Sequence, residues 1–104
     1  MKEMLVAGVT VDPMTKSPIV ILRDRESRLA LPIWIGVLEA NAIAMHLRGE
    51  QFERPLTHDL LSALLDKLGH ELVRVDIPKL EEGTFYAVLV ITDGEDEVLV
   101  DARP

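Results

Sequence analysis

The residues of this chain best suited to chemistry stand together in Arg54-Pro55-Leu56-Thr57-His58-Asp59. Thr57 is a good helix N-cap, and Leu56 with Leu61 fits the two apolar positions of a hydrophobic staple. A helix beginning here presents unpaired N–H groups and partial positive charge, which suits a phosphate. Arg54 can add a bidentate phosphate contact. His58 in the first turn has the chemistry of a general acid or base, and Asp59 can orient it or bind a divalent cation. The same residues also read as plain helix initiation, with Thr57 capping and Asp59 favouring the helix dipole.

A second polar pair lies upstream. Glu39 and His46 are seven residues apart in an alanine-rich run, within about 20° of each other on a helix. Two turns of separation, about 10 Å, are too many for a compact single-metal pair. His46 therefore reads as a structural or interface residue, and Glu39 as a carboxylate facing a cleft. Asp101 and Arg103 close the chain at a strand end, either as functional groups or as a solvated terminus. The acidic run from Asp93 to Glu97 lacks the spacing of a calcium-binding loop.

Positioning these residues requires a definite set of elements. Residues 3–11 read as a strand, and two prolines mark the turn from Asp12 to Pro18. Ile19-Val20-Ile21-Leu22 is apolar on both faces, which predicts a central strand. The charged turn Asp24-Arg25-Glu26-Ser27-Arg28 leads to a third strand over 29–35. Val37 to Leu47 is helical, with Arg48 in the last turn and Gly49 at C′; its near-continuous apolar character predicts burial of most of its circumference. Leu60, Leu61, Leu64, Leu65 and Leu68 form one stripe of a second helix ended by Gly69. Val73, Val75 and Ile77 alternate with polar residues, residues 84–92 are β-rich, and Asp93-Gly94 signals a hairpin into Val98-Leu99-Val100. The order is βββ-α-α-βββ in one domain over 1–104. This predicts an α+β fold with an antiparallel or mixed sheet and the two helices packed on it.

Composition narrows the function. With no cysteine among 104 residues, disulfides, thiolate zinc sites and cysteine catalysis are excluded. No signal-peptide pattern opens the chain and no apolar run approaches the ~20 residues of a membrane span, which predicts a cytoplasmic protein. The net charge of −7 leaves two readings: any nucleic-acid contact is local and metal-assisted, or the chain is not a nucleic-acid protein, and the bulk charge leans towards the second. With one Trp, one Tyr and two Phe there is no aromatic stacking platform, and single-strand binding by base stacking is poorly supported. Phosphate loops, dinucleotide fingerprints and nucleophile elbows are absent.

Leu31-Pro32-Ile33-Trp34-Ile35-Gly36, Glu39-Ala40 and Arg54-Pro55-Leu56-Thr57-His58-Asp59-Leu60 together resemble the hallmark stretch of the bifunctional nuclease domain family. Leu68-Gly69, Gly83-Thr84-Phe85-Tyr86-Ala87 and Asp101-Ala102-Arg103-Pro104 extend the resemblance in register to the last residue. The resemblance implies hydrolysis of phosphodiester bonds in DNA and RNA, assisted by a divalent metal such as Mg or Mn. Mapped onto these motifs, the expected catalytic residues are Glu39, His58 and Asp59, with Arg54, Thr57 and Arg103 contacting substrate and Asp59 with Glu39 holding the metal. The family pattern continues past this point into a further helix and strand. Its absence here predicts exposed apolar surface and a homodimer or higher homo-oligomer. The competing expectation is a non-catalytic, homo-oligomeric regulatory or protein-interaction module.

Overall fold

The computed structural model describes residues 2–26 and 28–104; Met1 and Ser27, the latter in the expected charged turn, lie outside the described residues. The fold is α+β, in the order β1 (Met4–Val11), β2 (Pro18–Asp24), β3 (Ala30–Trp34), α1 (Val37–Leu47), α2 (Thr57–Lys67), β4 (Glu71–Glu81), β5 (Thr84–Thr92) and β6 (Glu97–Ala102). Instead of one sheet, the strands hydrogen-bond as two antiparallel sheets of three, β1-β2-β3 and β4-β5-β6. The chain accordingly divides into two compact units, residues 1–52 and 53–104. No helix among the described residues is long and apolar enough to cross a membrane.

In the first unit β2 is central, as its two-sided apolar character requires. Val20 pairs with Val9 on one side and Ile33 on the other, and Ile19, Val20, Ile33 and Ala40 form the buried core. Helix α1 lies against β1 and β2. It buries Ala40 alone, while Val37, Leu38 and Leu47 stay exposed, so the expected burial of most of its circumference does not occur. The helix is apolar all round, but only one side of it meets a sheet.

Carboxylates build the turns of this unit. Asp12 accepts the Met14 N–H at 2.9 Å and the Trp34 Nε1–H at 3.3 Å, tying the β1–β2 loop to the end of β3. Asp24, buried at the end of β2, accepts N–H groups of Arg28 (2.8 Å) and Leu29 (3.0 Å) and lies 3.6 Å from the Lys2 ammonium. The Leu29 N–H holds the Asp24 carboxyl below the usual range, helped by the Arg28 N–H and the Lys2 charge and opposed by burial.

In the second unit β5 is central, with Ala87 and Val90 buried. Glu82 and Gly83 both take positive φ, 48° and 77°, as a tight β-hairpin connection requires. The ladder between β4 and β5 skips around Ile77 and Pro78, consistent with an edge strand holding a residue that has no N–H to donate. At the β5–β6 turn Asp93 accepts the Glu95 and Asp96 N–H groups, both at 2.9 Å. Helix α2 touches β4 but contains no buried residue; Leu60, Leu61, Leu64 and Leu68 are all exposed.

Both helices end alike. Gly49 and Gly69 take positive φ, and their N–H groups reach the carbonyls of His46 (3.0 Å) and Asp66 (3.1 Å). Glu50 and His70 then bond back to Met45 and Leu65, completing a Schellman motif in each case.

Two predictions follow from this architecture. A folded-state carboxyl held below its unfolded value of about 3.9 contributes stability that is complete above that pH and is lost as pH falls through the folded value. Asp24→Asn is therefore expected to lower the melting temperature at pH 7 and to flatten the loss of stability below about pH 4; an unchanged acid limb in thermal melts would refute the role given to Asp24. Gly83→Ala, at φ 77°, is expected to cost about 1 kcal/mol and several degrees of melting temperature.

Candidate functional site

The backbone at the start of α2 decides how the corner is built. Leu56, not Thr57, is the N-cap: it is extended, with φ −78° and ψ 173°, and its carbonyl accepts the Leu60 N–H at 2.9 Å. The Asp59 Oδ2 atom accepts the Leu56 N–H at 2.9 Å, which fixes Asp59 as the third residue of the helix. The expected Thr57 cap thus moves to the first helical position, and the Leu56–Leu61 staple loses its register by one residue. The Asp59 carboxylate accepts the Leu56 N–H, the half of a capping box that the third helical residue supplies, and this sets the start one residue before Thr57.

This cap is one-sided. A leucine side chain has no acceptor to return to the helix, so no side chain caps the N–H groups of Thr57, His58 and Asp59. They remain open to an external acceptor. His58 Nε2 lies 3.6 Å from Asp59 Oδ1, with the imidazole and carboxylate both about half exposed. Arg54, two residues before the cap, is exposed and makes no ion pair among the described residues. The corner therefore offers an unshielded helix start, an imidazole beside a carboxylate, and an unpaired guanidinium in the preceding loop.

Glu39 occupies the equivalent position of the other helix. Gly36 is the N-cap of α1, with Ala40 N–H bonded to its carbonyl at 2.9 Å, and Glu39 is again the third residue. Its carboxylate folds back over Gly36, into the space a β-carbon there would occupy. The two carboxylates expected to share a metal thus have the same local task, each folding back over the start of its own helix. Among the described residues no group of three or more His, Asp or Glu side chains converges to hold a metal ion. At the α2 corner the described residues supply one carboxylate, already bonded through Oδ2 to Leu56. A protein-held metal does not fit that donor set, so no chemical step is assigned to one.

The remaining sequence-derived residues stand apart from this corner in the chain. His46 is exposed, and its side chain makes no hydrogen bond or ion pair among the described residues; its carbonyl accepts the Gly49 N–H. Asp101 pairs with Val88 in the β5–β6 ladder, and Arg103 follows β6, exposed and without an ion pair among the described residues. Sequence reasoning missed Asp24 and the Asp12–Trp34 bond. The signal for Asp24 was faint: an aspartate at a strand end, four and five residues before the N–H groups it accepts.

Charge divides sharply between the units. Residues 1–52 contain six basic and six acidic side chains, and residues 53–104 contain five and twelve. The whole net charge of −7 therefore falls on the unit that carries His58 and Asp59. An anionic substrate at the α2 corner must be held by local donors against a repulsive background.

Comparison with known proteins matches this architecture to one family. The sequence pattern of the Bifunctional nuclease domain matches residues 20–104, which include both helices, both expected catalytic segments and the second sheet. Two proteins of Mycobacterium tuberculosis, Uncharacterized protein MT1877 of strain CDC 1551 and Uncharacterized protein Rv1829 of strain H37Rv, are each 44% identical over all 104 residues. The chain spans 62% of the length of these curated relatives. A match over this much of the chain makes it a member of the bifunctional nuclease domain family.

Proposed function

We propose that this domain is a cytoplasmic nuclease that hydrolyses phosphodiester bonds of DNA and RNA at the N-terminus of α2. The observation that carries this reading is the uncapped start of α2, where three backbone N–H groups stand beside the His58–Asp59 pair. Open N–H groups at a helix start hold a phosphate oxygen, and Arg54 supplies charge-assisted bonds to the same group. In its neutral form His58 accepts a proton from an attacking water as that water forms the new P–O bond. The bond to the leaving ribose oxygen breaks, and the imidazolium returns the proton to that oxygen. Asp59 holds the imidazole in place and offsets its positive charge while it is protonated.

Magnesium or manganese belongs to this proposal only as a companion of the substrate. Such ions keep several waters and bind through one or two carboxylates together with substrate phosphates. Glu39, in the other unit, is read here mainly as the carboxylate that starts α1. Arg103 is retained as a further phosphate contact on the strength of its unpaired charge and family position.

A second reading is favoured by the apolar surface. Leu60, Leu61, Leu64 and Leu68 along α2 are all exposed, an apolar surface of the kind that marks an association face. This supports a homodimer, either as the form in which the nuclease acts or as a non-catalytic interaction module.

Cleavage of single- and double-stranded DNA and RNA, with magnesium or manganese and then with chelator, tests the first reading. His58→Ala is expected to reduce cleavage by about 10²- to 10⁴-fold without loss of melting temperature. Asp59→Ala should reduce it too, but with a measurable loss of stability because the Leu56 N–H before α2 loses its acceptor. Cleavage unchanged in the His58→Ala, Asp59→Ala double variant would place the activity elsewhere. For the second reading, sedimentation velocity at micromolar concentration is expected to show a dimer that Leu61→Ser with Leu68→Ser converts to monomer; a wild-type monomer would exclude it.

A further inference from the structure

The first unit carries a second surface suited to an anionic ligand, on one face of the β1-β2-β3 sheet. Alternation along the strands puts the buried Val20–Ile33 pair on one face and the Ile19–Trp34, Ile21–Pro32 and Arg23–Ala30 pairs on the other, where Ile19 is buried but Trp34, Arg23 and Ala30 are exposed. On that second face β1 contributes Thr10, opposite Ile19, and Gly8, opposite Ile21, just after the bulge that leaves Ala7 unpaired. A recess of about 250 Å³ opens there, lined by Ala7, Gly8, Val9, Thr10, Ile21 and Arg23. A β-carbon added at Gly8 would touch nothing, so the floor of the recess is open space.

Two further observations give this face a chemistry. Four of the six cations of the unit are paired: Lys2 with Asp24, Arg25 with Glu3, Arg28 with Glu26 and Arg48 with Glu50. Arg23 and Lys16 make no ion pair among the described residues, and Arg23 borders the recess. At the other end of the face stands the one tryptophan of the chain, Trp34, 55% exposed. Its Nε1–H bond to Asp12 anchors one edge of the indole to the loop that also carries Lys16. Along β2 the step from Ile19, opposite Trp34, to Arg23 is four residues, or about 13 Å.

From this juxtaposition we propose that the face binds a short stretch of single-stranded nucleic acid, with one base stacked on Trp34 and a phosphate on Arg23. An exposed indole gives a base a stacking surface, an unpaired guanidinium binds phosphate, and the recess between them takes the sugar. The Asp12 carboxylate at the indole edge repels phosphate and leaves that end to the base. A duplex cannot use the site, because its bases are already stacked on one another. One indole takes one base, consistent with the aromatic poverty of the sequence. The unit carrying this face is neutral overall, unlike the unit of net charge −7 that carries the α2 corner. The inference rests on nucleic acid being the ligand of this domain, as proposed above, and does not require cleavage.

The single tryptophan makes the test direct. Trp34 emission is followed while full-length chain is titrated with oligothymidylate in the presence of chelator, which suspends any metal-dependent cleavage. Saturable quenching is expected. In anisotropy with a labelled oligonucleotide, Trp34→Leu and Arg23→Ala should each weaken binding by about ten-fold. Arg23→Ala should also lower the slope of log affinity against log salt by about 0.7. Circular dichroism establishes that each variant is folded, and Arg23, being exposed, reports even if Trp34→Leu is not. His58→Ala should bind as tightly as wild type; binding of this pattern without any cleavage would leave the face standing and remove the hydrolase. Unchanged emission at saturating oligonucleotide would overturn the proposal, as would wild-type affinity in Arg23→Ala. Emission that responds only to protein concentration, with Trp34→Leu dissociating a dimer, would assign the face to a second copy and equally overturn it.

Discussion

Carboxylates bonded to backbone N–H groups are the interaction on which this structure most depends. Asp12, Asp24 and Asp93 each gather the N–H groups of a strand connection, and Asp59 accepts the N–H at the start of α2. The carboxyls of all three turn aspartates are held below their ordinary range, with a backbone N–H as the foremost cause in each case. An ionised carboxylate is the strongest acceptor a side chain can offer to an amide. Part of the acidity that disfavours nucleic-acid binding at the level of composition is therefore turn chemistry. The β4–β5 connection solves the same problem differently, through two residues of positive φ.

That constraint changes what the candidate catalytic residues mean. Asp59 is both the cap of α2 and the neighbour of His58, so its structural and chemical roles overlap in one side chain. Glu39, at the same position of α1, folds over Gly36 and has a local explanation that needs no metal. His58 is different: its ion-pair neighbour is Asp59, no bond to the fold passes through it, and its ring is half exposed. It is thus the residue whose loss separates chemistry from stability.

The two units divide the electrostatic tasks. The second holds the uncapped helix start together with all the net negative charge, so an anion reaching it depends on short-range bonds. The first is neutral, with two cations that make no ion pair among the described residues and an exposed indole. Apolar surface is common to both. The leucines of α2 and the Val37–Leu38 end of α1 have no cover among the described residues, the condition in which a domain associates or receives further chain.

Local chemistry was legible in the sequence to within a residue or two. The ends of α1 and α2 at Gly49 and Gly69, the limits of β5, the Asp93-Gly94 hairpin and the central place of β2 all follow from residue type and period. These features are set by interactions within a few residues, which a linear reading can see. The start of α2 lies one residue earlier than the preference of threonine for N-caps predicts, with the Leu56 N–H held by the carboxylate three residues on. Burial was decided only in three dimensions. An apolar stripe states that a helix can bury a face, but whether it does depends on a partner surface, and the contact of α2 with β4 buries none of its residues. The division into two sheets and the bond from Asp12 to Trp34 likewise join residues far apart in the chain. Sequence alone determined the helix C-termini, turns and family hallmark of this protein; the folded structure decided which carboxylates are already committed to the backbone and which cations stay unpaired among the described residues.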